Sequence, residues 1–112
     1  GVSTQPLYPQ LADKLGIDAE RGAIVAEVVD GSPAARAGLR GGDQQMRFQG
    51  RQFETGGDVI ISADGEAIER AEDLGRIVST LDPGRTVRLE VIRDGEDQTV
   101  EVELDDRPTS IR

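Results

Sequence analysis

The residues of this sequence that come nearest to site chemistry are acids. Asp64-Gly65-Glu66 and Asp94-Gly95-Glu96-Asp97 cluster carboxylates as a calcium loop does, but the alternating acids of a full twelve-residue loop are missing. Each cluster opens on Asp-Gly, the favoured pair for a two-residue hairpin turn, so both read as turns. The chain has no His and no Cys. Without imidazole or thiol there is no Ser-His-Asp or Cys-His arrangement and no ordinary zinc ligand set. Asp and Glu together number 22, yet nothing places two of them in an apolar pocket, where one would stay protonated as an acid catalyst. Gly-Gly-Asp occurs at 41–43 and again at 56–58, without the spacing of a phosphate loop. The expectation is no catalytic residue, no metal and no cofactor in this chain.

What remains is binding. At 112 residues the chain is one domain by size. Its net charge of −9 disfavours nucleic acid and anionic membrane surfaces, which call for basic patches. No apolar run approaches a membrane span: "AIVAEVV" is broken by Glu27, so no direct membrane insertion is expected. The chain opens on Gly1 rather than Met and shows no secretion leader, which reads as a fragment of a longer protein.

The elements follow from hydrophobic period and punctuation. "GVST" reads as a short strand, and "QPLYPQLADKLGI" as a short helix with Pro9 in its first turn and Gly16 as its stop. "GAIVAEVVDG", residues 22–31, reads as a strand. "SPAARAGL" follows as a turn of helix, with Ser32 as N-cap, Pro33 at the first helical position and Gly38 as the stop. So short a helix must dock on the sheet, through Ala34, Ala37 and Leu39. "AEDLGRIVSTL" carries Leu74, Ile77, Val78 and Leu81 on one stripe, with Gly75 inside at a cost of ~1 kcal/mol relative to Ala. "DVIISADGEAI" is a hairpin turning at Asp64-Gly65. "TVRLEVIRDGEDQTVEVEL" is another, turning at Asp94-Gly95, which pairs Leu89 with Val100, Val87 with Val102 and Arg88 with Glu101. The fold expected is α+β: a small, partly open antiparallel barrel or sandwich capped by two helices.

Residues 43–56 read as an insertion. Asp58 runs straight into an apolar strand, whereas Asp43 runs into "QQMRF". "MRFQGRQF" folds back on Gln49-Gly50, pairing Met46 with Phe53 and Phe48 with Arg51. The apolar face of Met46, Phe48 and Phe53 serves either the domain's own packing or contact with a neighbouring domain or subunit.

In that order, "RGAIVAEVVDGSPAARAGLRGGD", "GGDVIISADGEAI", "AEDLGRIVSTLDPG" and the last hairpin resemble the PDZ domain of HtrA-type, trypsin-like serine proteases, over residues 1–107. Residues 108–112 form a tail expected to be flexible. The resemblance implies a module that binds peptide C-termini or unfolded polypeptide by strand addition. It implies an upstream protease domain in a serine endopeptidase, and an extracytoplasmic setting in the periplasm or cell envelope. The family's carboxylate loop maps onto Gly1-Val2-Ser3, with the residue before Gly1 completing it. Peptide-binding positions are then Gly1, Val2, Ser3 and Thr4 on the first strand, and Gly75, Val78 and Ser79 on the longest helix, with Gly75 opening room for a terminal side chain. The alternatives are an assembly module that holds protease subunits or domains together, or the PDZ domain of another envelope peptidase or secretion component.

Overall fold

The computed structural model describes residues 2–104. Gly1 and the tail 108–112 lie outside them. Strand β1 (Val2–Leu7) leads into α1 (Pro9–Leu15), β2 (Gly22–Val28) and α2 (Pro33–Ala37). A ribbon of β3 (Gln44–Phe48) and β4 (Arg51–Thr55) follows, then β5 (Val59–Ala63) and β6 (Glu66–Ala67). Helix α3 (Ala71–Ser79) and the hairpin β7 (Thr86–Arg93) and β8 (Glu96–Glu103) complete the fold. One antiparallel sheet takes the order β1-β2-β5-β7-β8, with β6 beside β5, and the ribbon is a separate two-stranded sheet.

The turn chemistry sets the registers. Asp64, Asp94 and Gln49 adopt the left-handed conformation, each followed by a Gly that does the same, as type I′ turns require. The last hairpin pairs Leu89 with Val100, Val87 with Val102 and Arg88 with Glu101. The ribbon pairs Met46 with Phe53 and Phe48 with Arg51. Ser32 caps α2, its hydroxyl accepting from the Ala35 N–H at 3.3 Å, with Pro33 first inside and Gly38 as the left-handed stop.

Three boundaries differ from expectation. β1 continues through Gln5, Pro6 and Leu7, which the sequence assigned to the first helix; α1 begins only at Pro9. Pro6 is tolerated because β1 is an edge strand, where a missing N–H need not break a ladder. β2 ends at Val28 rather than Gly31, and α3 ends at Ser79 with Thr80 as its C-cap.

Two apolar clusters lie on opposite faces of the sheet. Val25, Ile60, Val87, Leu89 and Val91 pack with Ala34 and Leu39 from the α2 region and with Leu74 and Ile77 from α3. Leu7, Ile24, Val59 and Ile92 pack with Leu11 of α1 and Phe53 of the ribbon. Ile24 and Val25 thus serve different cores. That is why β2 reads as an unbroken apolar run, as strands covered on both faces do.

The two Gly-Gly-Asp copies meet at the neck of the ribbon. Asp43 N–H donates to Thr55 O at 2.9 Å and Gly42 N–H to Ala26 O at 2.9 Å. A Cβ on Gly57 would lie 2.8 Å from both Gly41 C and Gly42 N, so only glycine lets the chain segments pass. Asp58 is fully buried. Its carboxylate accepts from Arg93 Nε at 2.7 Å and Nη2 at 2.6 Å, and from Arg40 N–H at 3.1 Å. Arg93 also donates to Gly38 O at 3.0 Å. One buried ion pair therefore ties the neck, the end of α2 and β7 together, and Asp58 holds the Arg93 guanidinium above its usual pKa.

Candidate functional site

Among the described residues β1 pairs with β2 alone, and its other edge carries no backbone partner. Such an edge is a template for another strand. The β1–β2 register shifts between Ser3 and Thr4, leaving Ala26 as the extra residue of a bulge. Its carbonyl goes instead to Gly42 at the ribbon neck. Bulges of this kind bend a strand and re-aim its neighbours.

Helix α3 packs beside β1 and β2. Its placement is fixed from both ends. Asp73 reaches back so that the Glu69 and Arg70 N–H groups both donate to its Oδ2 at 3.0 Å. Those bonds, the one from Arg70 foremost, hold its carboxyl below the usual Asp range. At the other end Thr80 Oγ1 donates to Ile77 O at 2.7 Å. Between them Leu74 and Ile77 are buried.

Between the start of β1 and the second half of α3 lies an apolar cavity of about 140 Å³. Val2, Leu74 and Val78 line it, with Ala34 and Leu39 below α2 and Leu104 after β8. No charged side chain contributes to this lining. A cavity of that size and character suits one apolar side chain.

The structure brings Val2 and Val78 together on this cavity. Ser3 is exposed and Thr4 half-buried on the same strand. Gly75 is exposed, and a Cβ built on it meets nothing within 4 Å. Ser79 is exposed and its hydroxyl donates to Arg76 O at 2.8 Å. Neither Gly75 nor Ser79 lines the cavity; Gly1 lies outside the described residues. Sequence reasoning assigned Leu74 to the core and missed that it also lines the cavity. Leu39 and Leu104 were missed too, and the docking of α2 was the one signal pointing to Leu39.

The ribbon's apolar face turns onto the domain itself. Phe53 is 2% exposed, and Met46 and Phe48 are partly buried against the same cluster. Tyr8 completes it, with ring centroids 6.5 Å from Phe48 and 6.4 Å from Phe53. Gln5 stitches the ribbon to β1: its amide donates to Glu54 O and accepts from Glu54 N–H, both at 3.1 Å. Among the described residues no group of three or more His, Cys, Asp or Glu is placed to hold a metal ion. Among the described residues no helix is long and apolar enough to cross a membrane.

The PDZ domain family profile matches residues 1–104. A probable periplasmic serine endoprotease DegP-like of Halomonas elongata is 34% identical over 110 residues, covering 98% of this chain and 20% of the relative. One with the same description from Pseudomonas savastanoi pv. phaseolicola is 37% identical over 102 residues, covering 91% of this chain and 18% of the relative. The chain thus spans about a fifth of the length of the curated relatives it matches. Among solved structures, the HtrA-type protease AlgW with decapeptide superposes with a TM-score of 0.68 at 29% identity, covering 96% of this chain and 29% of that one. The HtrA3 PDZ domain bound to a phage-derived ligand, FGRWV, gives a TM-score of 0.67 at 24% identity, covering 92% of this chain and 80% of that one, a likeness of fold.

Proposed function

The chain belongs to the PDZ-domain family, and on that premise we propose that it captures apolar C-terminal or unfolded segments by strand addition to the free edge of β1. The single observation that carries this is the unpaired β1 edge beside α3, with the apolar cavity at its start. The guest's backbone pairs with Ser3 and Thr4. Its last side chain enters between Val2 and Val78, and its carboxylate meets the backbone N–H groups of Gly1 and Val2. Gly75 and Ser79, exposed on α3, face the guest from the other side. Main-chain bonds supply affinity common to all guests, and the cavity selects for an apolar end.

The fragment itself binds and does not catalyse. Its parent is a trypsin-like serine endopeptidase of the periplasm or cell envelope, and this domain presents substrate to, or regulates, a separate protease domain. The names of its relatives and the decapeptide of AlgW support that reading. A role in holding subunits together through Met46, Phe48 and Phe53 has less support, because that face is occupied by the domain's own second cluster.

The test is calorimetric titration of the 112-residue chain with a decapeptide ending in valine, as the free acid and as the amide. Binding of the acid, weakened tenfold or more by amidation, is expected. Equal binding of both forms removes the carboxylate from the scheme, and no binding of either removes the scheme.

A further inference from the structure

A strand added to β1 turns only half of its side chains toward α3. Side chains alternate between the two faces of a strand. Val2 lines the cavity beside α3, whereas Leu7 packs in the cluster on the opposite face of the sheet and Gln5 reaches the ribbon. Val2, Thr4 and Pro6 therefore share the α3 face, and Ser3, Gln5 and Leu7 share the ribbon face. The bulge does not disturb this alternation, because its extra residue belongs to β2. A guest antiparallel to β1, with its last residue beside Val2, sets its third residue before the last beside Gln5. Directly opposed side chains point to one face, with Cβ atoms about 4.5–5.5 Å apart. That guest side chain looks toward the ribbon.

Gln5 also determines what it meets there. Its amide holds the N–H and the carbonyl of Glu54, both at 3.1 Å. Helix α1 stands on the ribbon's other flank, where Leu11, with Leu15 and Ile17 at its end, covers Ile24, Val59 and Ile92 of β2, β5 and β7. Met46, Phe48 and Phe53 turn to that cluster. The opposite face of the ribbon carries Gln45, Arg47, Gln52 and Glu54. It is turned away from α1, and β1 is the last strand of the sheet on that side. Gln52 donates to Gln45 at 2.8 Å, and Gln45 donates to Glu54 Oε2 at 3.3 Å.

The Glu54 carboxylate is half-buried, and among the described residues it has no ion pair. Arg47 shares its face but pairs in register with Gln52, nearer the turn. Gln49 of that turn accepts from the Tyr8 hydroxyl at 2.9 Å, beyond the end of β1. Glu54 thus stands level with Gln5, and Arg47 is displaced toward Tyr8. Glu27, exposed opposite Ser3, adds a second carboxylate to this face.

We propose that Glu54 is a specificity-determining residue, selecting guests with Lys or Arg at the third position before the carboxy-terminal residue. This rests on the strand-addition reading above. The chemistry asks for a long basic side chain, whose stem lies along Gln5 while its charged end reaches the carboxylate. Gln5 is the positioning residue, because it fixes Glu54 through the backbone and leaves the carboxylate for the guest.

The test uses decapeptides with a terminal valine that carry Lys, Ala or Glu at the third position before it. They are titrated into the wild type, Glu54→Gln and Glu96→Gln at low and high salt. A net charge of −9 attracts any basic peptide, and Glu96→Gln removes the same charge from the β7–β8 turn, at the far side of the sheet. The Lys-to-Glu preference should fall about fivefold in Glu54→Gln at low salt, the size of one well-placed exposed charge pair. It should stay as in wild type in Glu96→Gln, and the difference should shrink at high salt. All three proteins should bind the Ala peptide alike, which shows the slot intact. A ratio unchanged by Glu54→Gln, or lowered equally by Glu96→Gln, overturns the assignment and leaves strand addition standing. Failure of the wild type to bind the Ala peptide overturns strand addition, and the selection with it.

Discussion

Replacing Gly75 separates the two reasons a glycine can stand in a helix. It lies at the centre of the nine-residue α3, where Ala is favoured over Gly by about 0.8–1.0 kcal/mol. A Cβ there meets nothing within 4 Å, so no steric cost offsets the gain. For 112 residues the entropy of unfolding is about 0.24 kcal/mol/K, so Gly75→Ala should raise Tm by about 4 °C. Leu is nearly as good a helix former, and Gly75→Leu should also be more stable than wild type. Peptide binding should move the other way. If Gly75 leaves room for the guest, the leucine fills it, and an overpacking cost of about 1–3 kcal/mol weakens Kd roughly five- to hundredfold. Urea or thermal melts give the first quantity, and titration with a valine-terminated decapeptide gives the second. A leucine variant that gains stability and keeps its Kd refutes the groove assignment. An alanine variant that gains nothing refutes the helix argument itself.

Three further outcomes are expected. Asp58→Ala leaves the largely buried Arg93 without its partner and should destabilise the domain by about 3–5 kcal/mol in urea unfolding; a loss under 1 kcal/mol would mean that the pair contributes little. Phe53→Ala opens a void under the ribbon and should cost about 3–5 kcal/mol, read from the same curves; a near-neutral result would show the ribbon detached in solution. The Asp73 carboxyl, held low by the Arg70 and Glu69 N–H groups, stabilises the fold fully above the unfolded Asp value near 4. That contribution disappears as pH falls through 4 and through its lower folded value. Asp73→Asn should therefore lose less stability than wild type between about pH 5 and pH 2, and parallel pH curves for the two proteins would contradict the assignment.

The parts of the fold legible in the sequence were those fixed by local rules. A two-residue turn at Asp94-Gly95 leaves one register, so the partners of Val87 and Leu89 followed at once. The ribbon at Gln49-Gly50 obeyed the same arithmetic, and Ser32, Pro33 and Gly38 marked both ends of α2. The first helix, read from Pro9 and Gly16, was started too early, and only pairing with Ala23 and Gly22 holds Pro6 and Leu7 extended. The Asp58–Arg93 pair joins residues 35 apart in sequence, a distance at which no local pattern signals contact. At the site, Val2 and Val78 were legible as members of a strand start and an apolar stripe. Leu39 and Leu104 enter the cavity through tertiary packing of loops, which leaves no periodic trace.

The chain leaves for the ribbon and comes back at adjoining points, joined by the Asp43 to Thr55 hydrogen bond. The frame therefore does not measure what hangs from it: residues 43–56 form an appendage that could be shortened, lengthened or exchanged without moving β5 or β7. The restriction comes from solvent. Without this appendage Tyr8, Leu11 and Ile24 would face water, so a pruned version must also recolour that flank with polar side chains. Grafts at this place would succeed or fail by the underside they present to those residues.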